Sequence, residues 1–391
     1  DLSKAFDFSE MSVSRNLYQR LAAHIGTAPR PLTIDEIRDK MPDRTQILKF
    51  SVLKGRTLVW VISKRDVSLI PIRISADELR TRVERYIAAL SRPDADLGVV
   101  RTLSRELYGT LIAPVSEKLE PDLDLAIVPN KFLFYLPFSS LMNERNEPLI
   151  AAHPLSFSPS ASVFVICSEK ASRVAKANES ILAVGDPSFD RNSFPDFSVL
   201  PAASDEASAV RAQYTSGSSL LGPDAVKSEL LKSIRNADVL HFAGHYVVVD
   251  REPDSSYLLL AKGPDSDAPA GSDILTNAEL AQQDLGGLGL VVLSACQTGI
   301  DRYLDGEGMV GITRTFLAAG VPAVVASQWP VDSEATAILM KDFHKLRRSG
   351  GRSNTDALRQ AQLDLAGSSG GRFASPYYWA SFSLIGGVSK Y

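Results

Sequence analysis

Two short apolar runs in this 391-residue chain end in side chains able to do nucleophilic chemistry. Val239, Leu240, His241 and Phe242 lead through Ala243 and Gly244 to His245, and Val291, Val292 and Leu293 lead through Ser294 and Ala295 to Cys296. A thiol attacks a carbonyl as its thiolate, and an imidazole, with an ordinary pKa of about 6.5, is the usual base that removes its proton. Both residues follow runs that read as buried parallel strands, and in open α/β sheets the reactive groups gather beyond the strand C-termini. Cys296 follows His245 by 51 positions, long enough for a crossover that returns the second strand beside or near the first. Gly244 and Gly299 would let a substrate backbone approach and would turn N–H groups toward a developing oxyanion. Taken alone, a cysteine at a strand end is more often a small buried hydrophobe, and it is the paired histidine that favours catalysis. His241, four residues before His245, reads as a core or supporting histidine rather than the base. His24, His153, His344 and Cys167 have no partner of the dyad kind in the sequence.

The elements that must hold this pair follow from periodicity. Residues 47–53 and 57–63 are strand-like runs joined across Lys54, Gly55 and Arg56, and 67–72 adds a third strand. Ser75 with Glu78 predicts a capping box, after which Leu79, Val83, Tyr86, Ile87 and Leu90 recur at helical spacing. Leu103, Leu107, Leu111 and Ile112 predict a second helix, and 123–128 a buried strand. The polar stretch 169–180 reads as a linker between two halves, 1–170 and 180–391. Beyond it the pattern predicts strands at 181–184, 239–243, 257–261, 289–294, 323–327 and 380–385. Helices are predicted near 204–214, 226–235, 277–283, 308–319, 333–348 and 354–366.

Composition bounds the function. With 45% apolar and 23% charged residues the chain can bury a sizeable core, and a formal charge of −4 argues against nucleic acid or an anionic membrane as the main partner. Two cysteines and five histidines, without C-x-x-C or H-E-x-x-H spacing, exclude a disulfide framework and zincin chemistry and fit a reducing, cytoplasmic compartment. The longest apolar stretches, such as 285–295, fall short of the roughly 20 residues a membrane helix needs. A chain that begins at Asp1 without methionine is expected to be a processed or truncated piece of something longer.

The segments Leu240-His241-Phe242-Ala243-Gly244-His245 and Leu293-Ser294-Ala295-Cys296-Gln297-Thr298-Gly299 resemble the two signatures of the CHAT domain, a caspase-like cysteine peptidase domain found with tetratricopeptide repeats and related to separases. Gly185-Asp186-Pro187, Phe316-Leu317-Ala318-Ala319-Gly320-Val321, Ser327-Gln328-Trp329-Pro330-Val331-Asp332 and Pro376-Tyr377-Tyr378-Trp379-Ala380 with Phe382 are similar to other segments of that family. Ile127-Val128-Pro129, Leu136-Pro137-Phe138 and Ser158-Pro159-Ser160 resemble its degenerate N-terminal portion, so the likeness covers nearly the whole chain. It implies an α/β fold with a caspase-like sheet flanked by helices, a degenerate half at 1–170 and a catalytic half at 180–391. It further implies His245 as general base, Cys296 as nucleophile and cleavage of a protein substrate through a thioester, with no metal or organic cofactor. Backbone N–H groups of Tyr246 and Cys296 are the expected oxyanion donors. Tyr246 stands where the family usually has glycine, and its ring is expected to narrow the cleft. The alternative is a catalytically silent scaffold acting by protein–protein binding, and the expected partners are a protein substrate and a regulatory partner or an upstream tetratricopeptide region.

Asp186 and Asp332 are the acidic residues best placed to line a specificity pocket, which would favour a basic residue before the scissile bond. A turn role for Asp186 and an N-cap role for Asp332 are at least as well supported. Gln328 and Trp329 are either pocket walls or core. The polar stretch 263–273 is expected to be a mobile or cleavable regulatory loop. Gly306-Glu307-Gly308-Met309-Val310-Gly311 fits G-x-G-x-x-G and is expected to open the helix at 308–319, but it does not directly follow a strand, which argues against dinucleotide binding.

Overall fold

A computed structural model of the chain describes residues 2–388 except 12–14, 27–29, 250–251, 264–270, 296–301, 305–307, 331 and 369. Its strands are β1 (Thr45–Val52), β2 (Thr57–Ile62), β3 (Val67–Ile72), β4 (Asp124–Val128), β5 (Leu155–Phe157), β6 (Ser180–Gly185), β7 (Ser216–Leu221) and β8 (Val239–Ala243). The second series is β9 (Tyr246–Val247), β10 (Tyr257–Leu259), β11 (Ile274–Thr276), β12 (Leu290–Ser294), β13 (Arg302–Leu304), β14 (Gly308–Val310), β15 (Ala323–Ser327) and β16 (Phe382–Gly386). The helices are α1 (Leu2–Met11), α2 (Arg15–Ile25), α3 (Ile34–Lys40), α4 (Ala76–Leu90), α5 (Leu97–Leu111), α6 (Leu149–Ala152) and α7 (Ala161–Val174). They continue with α8 (Pro201–Arg211), α9 (Lys227–Ile234), α10 (Asn277–Leu280), α11 (Ile312–Ala318), α12 (Ser333–Gly350), α13 (Asn354–Ala366) and α14 (Pro376–Trp379).

Among the described residues, eleven strands form one sheet in the order β3-β2-β1-β4-β5-β16-β15-β12-β8-β6-β7. From β15 to β7 the strands run parallel, while β16 is antiparallel to β15 and parallel to β5, meeting it at Ile385 and Phe157. Period-2 alternation distributes the side chains to two layers of helices. Leu290 and Val292 of β12 pack in the cluster that contains α4, α5, α12 and α13 residues, whereas Val291 and Leu293 pack with α2, α7, α9 and α11. The result is a mixed α/β sheet covered on both faces, and the parallel strands β6, β8, β12 and β15 all end at one edge.

The structure departs from the periodicity in several places. The expected linker at 169–180 contains the last turns of α7, leaving only 175–179 to connect; the polar residues 169–174 read as a linker but continue the helix. Ser75 Oγ caps α4 by accepting the Glu78 N–H at 3.2 Å, but the Glu78 carboxylate bonds Arg82 at 2.7 Å instead of closing the box. The segment 308–310 is a strand paired with β13, and the helix begins only at Ile312, so the glycine pattern does not open a helix. β10 joins β9 and β11 in a separate small sheet rather than the main one. Finally, α1, α2, α3 and the edge strand β7 have no counterpart in the sequence reading.

Candidate active site

The site is set by strand register. β12 lies beside β8 with Ser294 opposite Ala243, so the chain leaves both strands at the same level, on neighbours about 4.8 Å apart. His245 is the second residue past Ala243, and Cys296 is the second past Ser294 in the sequence. Cys296 itself lies outside the described residues, as does most of the polar stretch 263–273. The residue before it is held firmly: Ser327 Oγ, at the end of β15, donates to the Ala295 carbonyl at 2.7 Å.

His245 is half-buried, and its ring is fixed from one side. Nε2 lies 2.8 Å from the Ser198 carbonyl oxygen, and the edges of Phe189 and Phe197 meet the imidazole with ring centroids 5.6 and 5.0 Å away. A carbonyl only accepts, so Nε2 carries the proton, and in the neutral ring Nδ1 is left with a lone pair. These partners come from the loop 187–199, whose spacing has no motif; the concentration of Phe189, Phe194 and Phe197 was the available signal. The loop is tied down by Asp186, which adopts a left-handed conformation (φ 44°) at the end of β6 and accepts the Leu200 N–H at 2.7 Å through Oδ1. Aspartate tolerates that conformation better than most residues.

The remaining expected residues separate by role. Tyr246 does not narrow the cleft: its ring is buried in the α2/α7/α9/α11 layer, and its hydroxyl receives the Asn277 Nδ2 hydrogen bond at 3.0 Å. That direction follows from pairing with β10, which places Tyr246 opposite Leu258. Asp332 is the N-cap of α12 and accepts the Ala335 N–H at 2.9 Å. Gln328 Nε2 donates to the Phe134 carbonyl at 3.2 Å, and Trp329 is buried with its Nε1 on the Tyr377 carbonyl at 3.0 Å. Cys167 is buried in α7, where loss of solvent pushes its thiol up to about 12, the state of an inert core cysteine.

His241 is fully buried on the face of β8 that meets α8 and α12. Its Nε2 lies 3.0 Å from Glu206 Oε1, out of line for a hydrogen bond, and its Nδ1 lies 3.3 Å from His344 Nε2. His344 Nδ1 meets the Tyr214 hydroxyl at 2.7 Å, and Arg347 bonds that hydroxyl, Glu179 and Asn354. His344 thus belongs to a buried polar chain behind the site, a partnership invisible to sequence spacing. Among the described residues no cluster of histidine, cysteine and carboxylate side chains could hold a metal ion, and no helix is long and apolar enough to cross a membrane.

The profile of the CHAT domain family matches residues 101–387. Human tetratricopeptide repeat protein 28 is 26% identical over 329 residues, 73% of this chain, and the mouse protein of that name is 28% identical over 222 residues, 49% of this chain. These alignments span 13% and 9% of the two relatives' own lengths. Among solved structures, the Saccharomyces cerevisiae separase in its securin complex superposes with a TM-score of 0.60 at 10% identity, over 91% of this chain and 30% of that one. The likeness is one of fold, and it agrees with the caspase-like sheet described above.

Proposed function

Because this chain belongs to the CHAT domain family, whose fold is that of caspase-like cysteine peptidases, we propose that it is a cysteine endopeptidase whose dyad is His245 and Cys296. The observation that carries the proposal is the orientation of His245. With Nε2–H on the Ser198 carbonyl, the lone pair of Nδ1 is left to act as the base, on a residue two positions past Ala243, which lies opposite Ser294 on the strand that leads into Cys296. In this mechanism Nδ1 takes the Cys296 proton, the thiolate attacks the scissile carbonyl, and backbone N–H groups of Tyr246 and Cys296 receive the oxyanion. The imidazolium then gives its proton to the leaving amine, and water hydrolyses the thioester. The Ser198 carbonyl stabilises the imidazolium while it exists, since a hydrogen bond to the charged form is favoured. The half at 180–391 carries both dyad residues, and the half at 1–170 supports it as a degenerate copy. Asp332 would supply the acidic selectivity for a basic residue, one carboxylate oxygen already being engaged by its own helix.

A second reading is a silent scaffold. It is favoured by the relatives, which are named for tetratricopeptide repeats and of which this region is a small fraction. One experiment decides: incubation of the protein with a diverse peptide library beside Cys296→Ala and His245→Ala. Cleavage at a preferred residue that disappears in both variants is expected. An intact library together with a Cys296 inert to iodoacetamide would favour the scaffold.

A further inference from the structure

At the edge of the sheet where β12 and β15 begin, away from His245, lies a lysine with no hydrogen-bonded partner among the described residues. Lys170 of α7 is 5% exposed, and among the described residues its ammonium has neither a hydrogen bond nor an ion pair. It lines a solvent-open cavity with His24, Arg173, Asp284, Gly286 and Gly287. The ammonium occupies room that two glycines leave. A Cβ on Gly286 would stand 3.0 Å from Nζ, and one on Gly320, where φ is +98°, would stand 2.9 Å from Nζ and 3.1 Å from His24 Nδ1.

The neighbouring groups are engaged in contacts of their own, so the lysine charge is compensated only in part, by Asp284. His24 Nε2 is 3.3 Å from the Ala318 carbonyl, so it is the donor and fixes the ring with Nδ1 toward the cavity. Asp284 accepts the Gly286 N–H at 3.1 Å, sits 3.8 Å from His24 Nδ1 and is largely in solvent. Arg173 pairs with Glu169 at the mouth. Burial moves the Lys170 pKa down, with Asp284 and Cys167 only partly opposing it.

We propose that this cavity is a binding site for a compact oxyanion, a phosphate or carboxylate group, held by Lys170 at its floor with Arg173 at its mouth. An anion there completes the charge that the protein leaves open. The site is independent of the peptidase reading, since none of its residues belongs to the dyad.

Calorimetric titration at neutral pH with inorganic phosphate, and separately with acetate, tests the proposal and distinguishes the two ligand chemistries. The variants are Lys170→Met, which keeps the apolar stem, and Gly286→Ala, which keeps the charge but fills the space beside Nζ. Saturable binding of one anion by the wild type is expected, weakened about tenfold or more in both variants, the scale of a lost charge-assisted hydrogen bond. Binding should also weaken as pH rises through the lowered Lys170 pKa. No saturable binding of either anion at millimolar concentration, or unchanged affinity in Gly286→Ala, would overturn the proposal. Should Lys170→Met fail to fold, Gly286→Ala alone decides, because its turn lies at the surface.

Discussion

At the scale of single residues, the arrangement around His245 makes the loop 187–199 part of the chemistry. The Ser198 carbonyl selects the tautomer, Phe197 and Phe189 hold the ring plane, and Asp186 ties the loop to the end of β6. Asp186 is therefore a positioning residue in the proposed enzyme. Asp186→Ala removes the acceptor for Leu200 N–H and places alanine at positive φ, so the Ser198 carbonyl should drift and kcat/KM should fall about tenfold to a hundredfold, as small displacements of a catalytic group do. Asp186→Asn retains a side-chain carbonyl and tolerates the same backbone, and it should restore most of the activity without altering preference at the cut site. Rates for both variants on one cleaved peptide, with the pH profile of each, check this. A loss as large in Asp186→Asn as in Asp186→Ala would assign the carboxylate charge itself a role.

At the scale of elements, the N-terminal helices are fixed by charge as much as by apolar packing. Glu10 on α1 is 1% exposed and pairs with the equally buried Lys49 of β1 at 2.7 Å, while accepting the Ser162 N–H and hydroxyl at the start of α7. Burial pushes the Glu10 carboxyl up, but Lys49 and Ser162 together outweigh it and hold the group below its usual range. Its folded pKa being depressed, its contribution is present above the ordinary value of 4.5 and is lost as pH falls from there through the folded value. Glu10→Gln leaves the Lys49 charge buried and should cost about 3 kcal/mol or more in urea unfolding, whereas adding Lys49→Met should recover much of it. Long-range partners of this kind explain what periodicity misses. Helix α1 is anchored by one carboxylate 39 residues away from its lysine, a partnership that periodicity does not record. Strands β8, β12 and β15 were legible because continuous apolar runs bounded by glycine or polar residues have few alternatives. α7 was not, since its polar C-terminal turns read as a linker. In the site, His245 and its strand neighbour were readable from the family signatures, while Ser198 acts through its backbone carbonyl, which no side-chain pattern records.

At the scale of the whole molecule, the sheet is locked to the α8 and α12 layer by a buried polar chain that draws on four elements and two flanking residues. Glu206 of α8, His241 of β8, His344 and Arg347 of α12, Tyr214 after α8, Glu179 before β6 and Asn354 of α13 meet within it. Burial, reinforced by His241 and Arg347, holds the His344 pKa well below its usual 6.5, so in the folded protein this ring stays neutral. In the unfolded chain it takes a proton near 6.5. The unfolded state then binds more protons than the folded one, and stability is full above 6.5 and declines as pH falls from there toward the lowered folded value. His153, lowered by burial despite its Leu123 carbonyl contact, titrates in the same sense. Each such histidine contributes up to about 1.4 kcal/mol of slope per pH unit. His344→Gln abolishes one titration, and its unfolding free energy, though lower at neutral pH from the lost Tyr214 bond, should fall less steeply between pH 7 and 5 than that of the wild type. Urea unfolding at several pH values measures both slopes. Equal slopes would mean that the His344 ring takes up its proton in the folded state, by a shift of Glu206 or Glu179 toward it, and that the chain of contacts relays charge rather than excluding it.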